Sequence, residues 1–138
     1  MANIITLDTG VKEYEINGYT AHFNPTDESF IARVEKAFDS LDGLQDQLKE
    51  SKDFGAFVGM DESMRGIIDG ILGDGAADTI FPGVNCYSLS GGLPLWLNLM
   101  YAIIDEISDA CDSEFGKTDE RMKHYNAKYS AMMKKYRK

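Results

Sequence analysis

Cysteine, histidine and proline are scarce in this chain: its 138 residues include 2 Cys, 2 His and 3 Pro. Cys86 and Cys111 lie 25 positions apart without a CxxC pair, so the chain lacks the ligand cluster of a structural zinc site. In a chain without a secretion signal, two such cysteines are expected to be reduced thiols that pack as small hydrophobic side chains.

A long hydrophobic run and a secretion signal are also lacking. The longest apolar stretch, residues 93–104, is interrupted by Pro94 and Asn98 and is shorter than the roughly 20 residues that cross a bilayer. The first residues, Met1 to Ile4, show no basic segment followed by an apolar one. We therefore expect no membrane association and a location in the cytoplasm.

The composition is that of a globular protein, and the chain has two oppositely charged regions. It is 43% hydrophobic and 27% charged, which suits one modest core in one domain. Residues 1–116 carry 6 Lys/Arg and 21 Asp/Glu, a net charge of −15, whereas residues 117–138 carry 8 and 2, a net charge of +6. We predict a single domain in residues 1–116, whose acidity disfavours nucleic acid, followed by a basic tail in residues 117–138.

Residues 1–24 are predicted to form a three-stranded β-meander. Residues 4–7, 11–16 and 19–23 are rich in β-prone side chains, with polar and apolar positions alternating in the second and third runs. Thr9-Gly10 supplies the first turn, and Asn17-Gly18 is a favourable pair for a two-residue type I′ turn. Such a small sheet must bury one face against helices or another subunit.

Three main helices are predicted from apolar residues at spacings of three and four. The first has its apolar positions in residues 30–48, and Thr26 or Asp27 is its candidate N-cap. The second covers residues 60–72 after a polar break at 49–59, and the third is a long segment from Pro94 onward, which Gly116 ends or bends. A single helical turn is expected at 75–81, followed by an irregular connection. The tail continues the helical pattern, so the predicted fold class is α+β, mostly α, with an N-terminal β-meander, three main helices and a basic helical C-terminal tail.

Few side chains are available for catalysis. A nucleophile would need His22 or His124 as its base, and both stand where histidines are usually surface or packing residues. Asp74 and Asp78 flank glycines without the ligand pattern of a calcium loop. We expect no enzyme, no cofactor and no metal. The acidic stripe at residues 105, 109 and 112 fits a solvated face better than a cation site.

The tail interleaves aromatic side chains and methionine with positive charge. This pattern fits an amphipathic helix that binds a partner protein, because methionine gives adaptable apolar surfaces. Binding of RNA by stacking and phosphate contacts is the alternative, although no nucleic-acid motif accompanies it. The candidate partner-binding residues are Tyr125, Lys128, Tyr129, Met132, Met133, Lys134, Lys135 and Tyr136.

Three segments of the chain form a recognisable series of caps, turns and helix starts. They are Phe23-Asn24-Pro25-Thr26-Asp27, Gly73-Asp74-Gly75-Ala76-Ala77-Asp78-Thr79-Ile80-Phe81 and Leu89-Ser90-Gly91-Gly92-Leu93-Pro94-Leu95-Trp96. Together they resemble the tail assembly chaperones encoded in the tail modules of siphophages and prophages of Gram-positive bacteria. The likeness covers roughly residues 3 to 115 and leaves out the basic tail.

The resemblance implies a protein without catalytic residues in the cytoplasm of the bacterial host. Its expected role is to bind the hydrophobic, helix-rich phage tape-measure protein and to keep it soluble before the tail tube polymerises. The tail-tube protein is a possible further partner, and homo-oligomers are expected. Two alternatives stay open: a structural tail component, such as a completion or connector protein retained in the virion, and a small RNA-binding regulator that uses the basic tail.

Overall fold

A computed structural model describes residues 2–39 and 54–136, apart from the side chains of residues 54–57 and 136. Helix dominates, and the strands form two short antiparallel hairpins, so the α+β class with helix in the majority is confirmed. In chain order the elements are β1 (Lys12–Ile16), β2 (Tyr19–Phe23), α1 (Glu28–Phe38), α2 (Phe54–Leu72), α3 (Ala76–Ile80), β3 (Leu89–Ser90), β4 (Leu93–Pro94) and α4 (Leu95–Tyr136).

The N-terminal hairpin forms as its turn residues indicate. β1 and β2 pair antiparallel from Lys12 opposite Phe23 to Ile16 opposite Tyr19. Asn17 and Gly18 have φ angles of 47° and 88°, as a type I′ turn requires. The inner face carries aromatic side chains that stack in series: the ring centroids of Tyr14 and Phe23 are 4.3 Å apart, and those of Phe23 and Phe30 in α1 are 4.1 Å apart. This stack fixes the hairpin on α1.

The first strand of the predicted meander is absent from the structure. Residues 2–11 have no strand pairing, and Ile4, Ile5 and Leu7 are 91%, 91% and 79% exposed. The prediction of three strands was therefore wrong, and the element is a two-stranded hairpin. β-Propensity describes how well a side chain fits a pleated, half-buried surface, and this segment packs on no such surface in the described chain.

Helix α1 begins where its cap predicts. The Asp27 carboxylate accepts a hydrogen bond from the Ser29 amide at 3.0 Å, and Glu28 lies in the positive first turn. Phe30, Val34 and Ala37 are its buried face, at the predicted spacing. The C-terminal part of the predicted helix, including Leu41, Leu44 and Leu48, lies outside the described residues.

Helix α2 starts earlier than its sequence indicates. It begins at Phe54, so the predicted polar break is wrong over residues 54–59. Asp61 was expected near the helix start, but it lies within the helix, and its carboxylate accepts hydrogen bonds from the Arg65 Nε at 2.9 Å and from the Cys86 amide at 2.7 Å. The acidic residue therefore joins α2 to a segment that follows it by 25 positions.

Arg65 ties the segment after α2 to the helix. Its guanidinium donates to the Asp78 carboxylate at 3.0 Å and to the carbonyl oxygens of Ala77, Phe81 and Val84. Gly75, at φ 79°, precedes α3, which confirms the single helical turn predicted there. The irregular connection after α3 then closes as the short β3–β4 hairpin.

The core lies where α1, α2, α3, the β1–β2 hairpin and the first turns of α4 meet. Trp96, Met100 and Ile68 are fully buried, and Ile103 is 3% exposed. No buried charged side chain occurs in the part of the chain that the structure describes. The apolar N-terminal turns of α4 are therefore buried in the core, and its later turns lie outside it.

Candidate partner-binding helix

Helix α4 has two halves with opposite surroundings. Its 42 residues run through Gly116 as one helix, so the helix does not end at that glycine. Up to Ala110, which is 8% exposed, the helix contributes side chains to the core. Every side chain from residue 112 to residue 132 is exposed. We call residues 112–136 the distal arm; at 1.5 Å per residue it is about 37 Å long.

Large apolar side chains follow one line along the distal arm. Phe115 is 72% exposed and Tyr129 is 59% exposed, which is unusual for side chains of this size. Their spacings of seven, three, four and three keep them on one side of the helix. We call this set the apolar stripe, and its members are Phe115, Met122, Tyr125, Tyr129 and Met132.

A line of positive charge borders the apolar stripe. Arg121, Lys128 and Lys135 repeat every seven residues and lie next to the stripe on the helix surface. The Arg121 guanidinium carbon and the Lys128 ammonium nitrogen are each 5.5 Å from the centre of the Tyr125 ring. These cation–π contacts hold both charges beside the aromatic side chain. We call these three residues the basic line.

The structure brings together most, but not all, of the residues predicted for partner binding. Tyr125, Tyr129 and Met132 lie in the apolar stripe, with half-buried Met133 at its margin, and Lys128 and Lys135 lie in the basic line. Lys134 lies roughly 150° around the helix from the stripe, so it is outside this surface, and its role in partner binding stays a prediction. Tyr136 ends α4, and its side chain is outside the described part of the structure.

Three contributors to this surface were missed: Phe115, Met122 and Arg121. A seven-residue repeat was the available signal, because residues 115, 122 and 129 are apolar or aromatic and residues 121, 128 and 135 are basic. The division of the chain after Gly116 obscured it, since it separated Phe115 from the rest of the stripe.

Both histidines lie on exposed surfaces. The His22 Nε2 is 3.9 Å from the Glu13 Oε1 across the outer face of the hairpin, and both side chains are more than half exposed. His124 lies on the distal arm with its ring against Tyr125, at a centroid distance of 4.9 Å. Neither arrangement places an imidazole against a serine or cysteine side chain.

The buried thiol of Cys86 is held in its neutral form. Burial raises its pKa, and the neighbouring Asp61 raises it further through a hydrogen bond and its negative charge. Burial also raises the pKa of the adjacent Tyr87 to about 12. A thiol reacts as its thiolate, so these surroundings suit packing and not nucleophilic chemistry.

Sites for metals or membranes are not found in the described chain. Residues 2–39 and 54–136 contain no group of three or more His, Cys, Asp or Glu side chains placed to hold a metal ion. Within the same residues, no helix has the length and apolar character required to cross a membrane.

Comparisons with known proteins give no relatives from which a role could be transferred. The chain matches no protein-family model, no curated protein and no solved structure. The distal arm therefore has to be interpreted from its own geometry and charge.

Proposed function

We propose that the protein is a non-catalytic binding protein that holds an amphipathic helical partner along the distal arm. The observation that carries the proposal is the apolar stripe: five large side chains, each 43% to 72% exposed, on a helix whose other half is in the core. An apolar line of this kind on a soluble protein is typical of a protein-binding surface.

The geometry of the stripe favours a helix as the occupant. Phe115, Met122 and Tyr129 repeat every seven residues, and so do Tyr125 and Met132, which is the a and d pattern of a coiled-coil seam. A partner helix with its own apolar line would place side chains between these positions. The arm is already helical, so pairing does not require it to fold first, which lowers the entropic cost of binding.

The basic line defines the charge of the partner. Arg121, Lys128 and Lys135 border the stripe at the position where a neighbouring helix presents its flanking residues. Glutamate or aspartate at those flanks would pair with them, whereas lysine would be repelled. The preferred occupant is thus a helix with an apolar seam and an acidic border.

The sequence resemblance supplies the identity of this partner within the proposal. The tape-measure protein of a siphophage tail is long, helical and hydrophobic, and a tail assembly chaperone would cover such helices in the cytoplasm of the bacterial host until the tail tube forms. The tail-tube protein is a second candidate partner. We propose this chaperone role, with self-association of the chain, as the function that the distal arm suits best.

The test is co-expression of the full chain with the tape-measure protein of the same tail module, followed by affinity capture and a solubility assay. The altered protein carries Met122→Asp and Tyr129→Asp, and its matched control carries Ala127→Asp and Ala131→Asp on the opposite side of the arm. We expect the wild type and the control to solubilise and capture the tape-measure protein, and the stripe variant to lose at least 90% of the captured material, an estimate based on the loss of two central contacts.

Two results would replace the proposal. If the tape-measure protein stays aggregated while this chain is found in purified virions, the protein is a structural tail component. If the full chain instead retains RNA in a salt-sensitive way and Lys128→Glu releases it, the RNA-binding alternative is favoured. Equal capture by the stripe variant and its control would show that the distal arm is not the binding surface.

A further inference from the structure

A second unpartnered apolar surface lies at the other end of the chain. Residues 2–9, which we call the N-terminal arm, form no helix or strand, and Ile4, Ile5 and Leu7 are 79% to 91% exposed. Side chains of this type favour strands, and water is a costly environment for three of them in four positions. The segment has the composition of a strand without a neighbouring strand.

A strand without a second neighbour lies close by in the fold. Among the described residues β1 pairs only with β2. The other side of the hairpin contacts helices α2 and α3. The Tyr19 hydroxyl donates a hydrogen bond to the Leu72 carbonyl, and the Asn17 side-chain amide donates one to the Ile80 carbonyl. In an antiparallel ladder closed by a two-residue turn, the main-chain groups of Glu13 and Glu15 face away from the partner strand. Within residues 2–39 and 54–136, β1 therefore presents an unpaired edge.

An apolar groove lies between the β1–β2 hairpin and α4. It has a volume of about 300 Å³ and is lined by Tyr14 and Ile16 of β1 and by Leu99, Ala102 and Ile103 of α4. Glu15 and Glu106 also line it, and the latter, after burial, contributes to the raised pKa of Tyr14. Residues 2–7 contain no acidic side chain, so they can enter the groove without repulsion from these carboxylates.

The same chain's arm is held away from this edge. The Asp8 carboxylate accepts a hydrogen bond from the Gly10 amide at 2.8 Å, and the Asn24 side chain donates to the Thr9 carbonyl at 2.9 Å. Asn24 directly follows β2, so residue 9 is fixed on the β2 side of the hairpin, and Gly10 turns with a φ of 73°. These bonds oppose a return of the arm along the opposite, β1 side.

We propose that the N-terminal arm of a second copy of this chain pairs with the β1 edge and becomes the third strand of the sheet, with the two copies exchanging arms. Residues 3–7 extend over about 17 Å, which matches the five residues of β1. An added strand would form main-chain hydrogen bonds with the outward-facing groups of β1, and every second side chain of that strand would enter the groove. Two reciprocal contacts would bury on the order of 1,200 Å², the lower end for specific interfaces.

The test exploits the alternation of side chains in a strand. Ile5 and Leu7 share one face and supply two apolar groups to the groove, whereas Ile4 lies on the other face. Sedimentation equilibrium of the full chain should show a dimer that Ile5→Asp with Leu7→Asp weakens by at least about 100-fold, and that Ile4→Asp weakens by less than about 10-fold. Because these side chains are exposed in the monomer, we expect all three proteins to keep the same circular dichroism spectrum.

Hydrogen exchange locates the contact. In the wild-type dimer the Glu13 and Glu15 amides should be protected, and in the Ile5→Asp, Leu7→Asp protein they should exchange as exposed amides do. A monomeric wild type would overturn the proposal, as would a dimer that survives the double substitution or dissociates only with the distal-arm pair Met122→Asp and Tyr129→Asp. Protection of both amides in a diluted monomer would show that the arm folds back on its own chain, which also overturns it. The proposed strand exchange does not use the distal arm, so its failure leaves the proposed binding of a helical partner intact, whereas a monomeric wild type would also remove the self-association proposed with it.

Discussion

The two halves of helix α4 have similar apolar side chains and opposite environments. Met100 is fully buried and Met122 is 56% exposed, although both belong to regular apolar lines on one unbroken helix. The proximal line belongs to the core that α1, α2, α3 and the β1–β2 hairpin also form, while the distal line is outside that core and exposed. Periodicity therefore identifies an apolar line on a helix, and only the rest of the chain decides whether that line is buried in the core or left exposed.

The largest predicted difference comes from this matched pair of methionines. Met100→Ala removes a fully buried side chain and leaves a cavity, so we expect the free energy of unfolding to fall by about 2–5 kcal/mol. Met122→Ala truncates an exposed side chain and should change the same quantity by less than about 0.5 kcal/mol. Urea denaturation followed by circular dichroism measures both. Equal losses from the two substitutions would mean that the distal stripe is already covered within the protein.

Two of the arginines, Arg65 and Arg121, extend the comparison from apolar to charged side chains. Arg65 is 18% exposed and donates to two carboxylates and three carbonyl groups, whereas Arg121 lies exposed beside Tyr125. Arg65→Met leaves the partly buried Asp61 without its cation, and we expect a loss of about 2 kcal/mol in the free energy of unfolding. Arg121→Met should cost less than about 0.5 kcal/mol and weaken only partner capture. A similar loss for both would remove the distinction between a fold-stabilising and a binding arginine.

Much of this organisation could be predicted from local signals. The Asn17-Gly18 turn, the Asp27 cap and the spacing of Phe30 and Val34 depend on neighbouring residues, and the structure contains all of them. Two features depended on distant contacts and were mispredicted. Residues 4–7 have strand propensity but no paired strand, and Asp61, which resembled a helix start, instead bonds to Cys86.

The candidate site also has features that local sequence predicts and features that it does not. The aromatic and basic character of the tail was visible in the sequence, and Tyr125, Lys128 and Tyr129 do lie together. Composition could not show on which side of the helix each residue lies, because that depends on one unbroken helix through Gly116. With that continuity, Phe115 joins the surface and Lys134 leaves it.

Acid should lower the free energy of unfolding through protonation of Asp61. Partial burial raises the pKa of Asp61, but hydrogen bonds from Cys86 and Arg65 outweigh that effect and leave the pKa below its ordinary value. A carboxylate with a lowered pKa in the folded state stabilises the fold fully above its unfolded pKa of about 4, and this contribution is lost as the pH falls through the folded pKa. Urea denaturation at pH 7 and pH 3 should show a smaller acid-induced loss for Asp61→Asn than for the wild type. Asp119→Asn, on the distal arm, is the control and should behave as the wild type does.

Gly116 gives the smallest and most local effect, because it lies between the two halves of α4. An added Cβ meets no atom within 4 Å there, and glycine inside a helix costs about 0.5–1 kcal/mol relative to alanine. Gly116→Ala should therefore slow hydrogen exchange of distal-arm amides by about 2- to 5-fold, the equivalent of that free energy. Exchange of the proximal amides follows unfolding of the core and should stay unchanged, since the distal arm frays separately. If the proximal amides slow equally, the two halves unfold together, and the distal arm is a continuation of the core and not an independent surface.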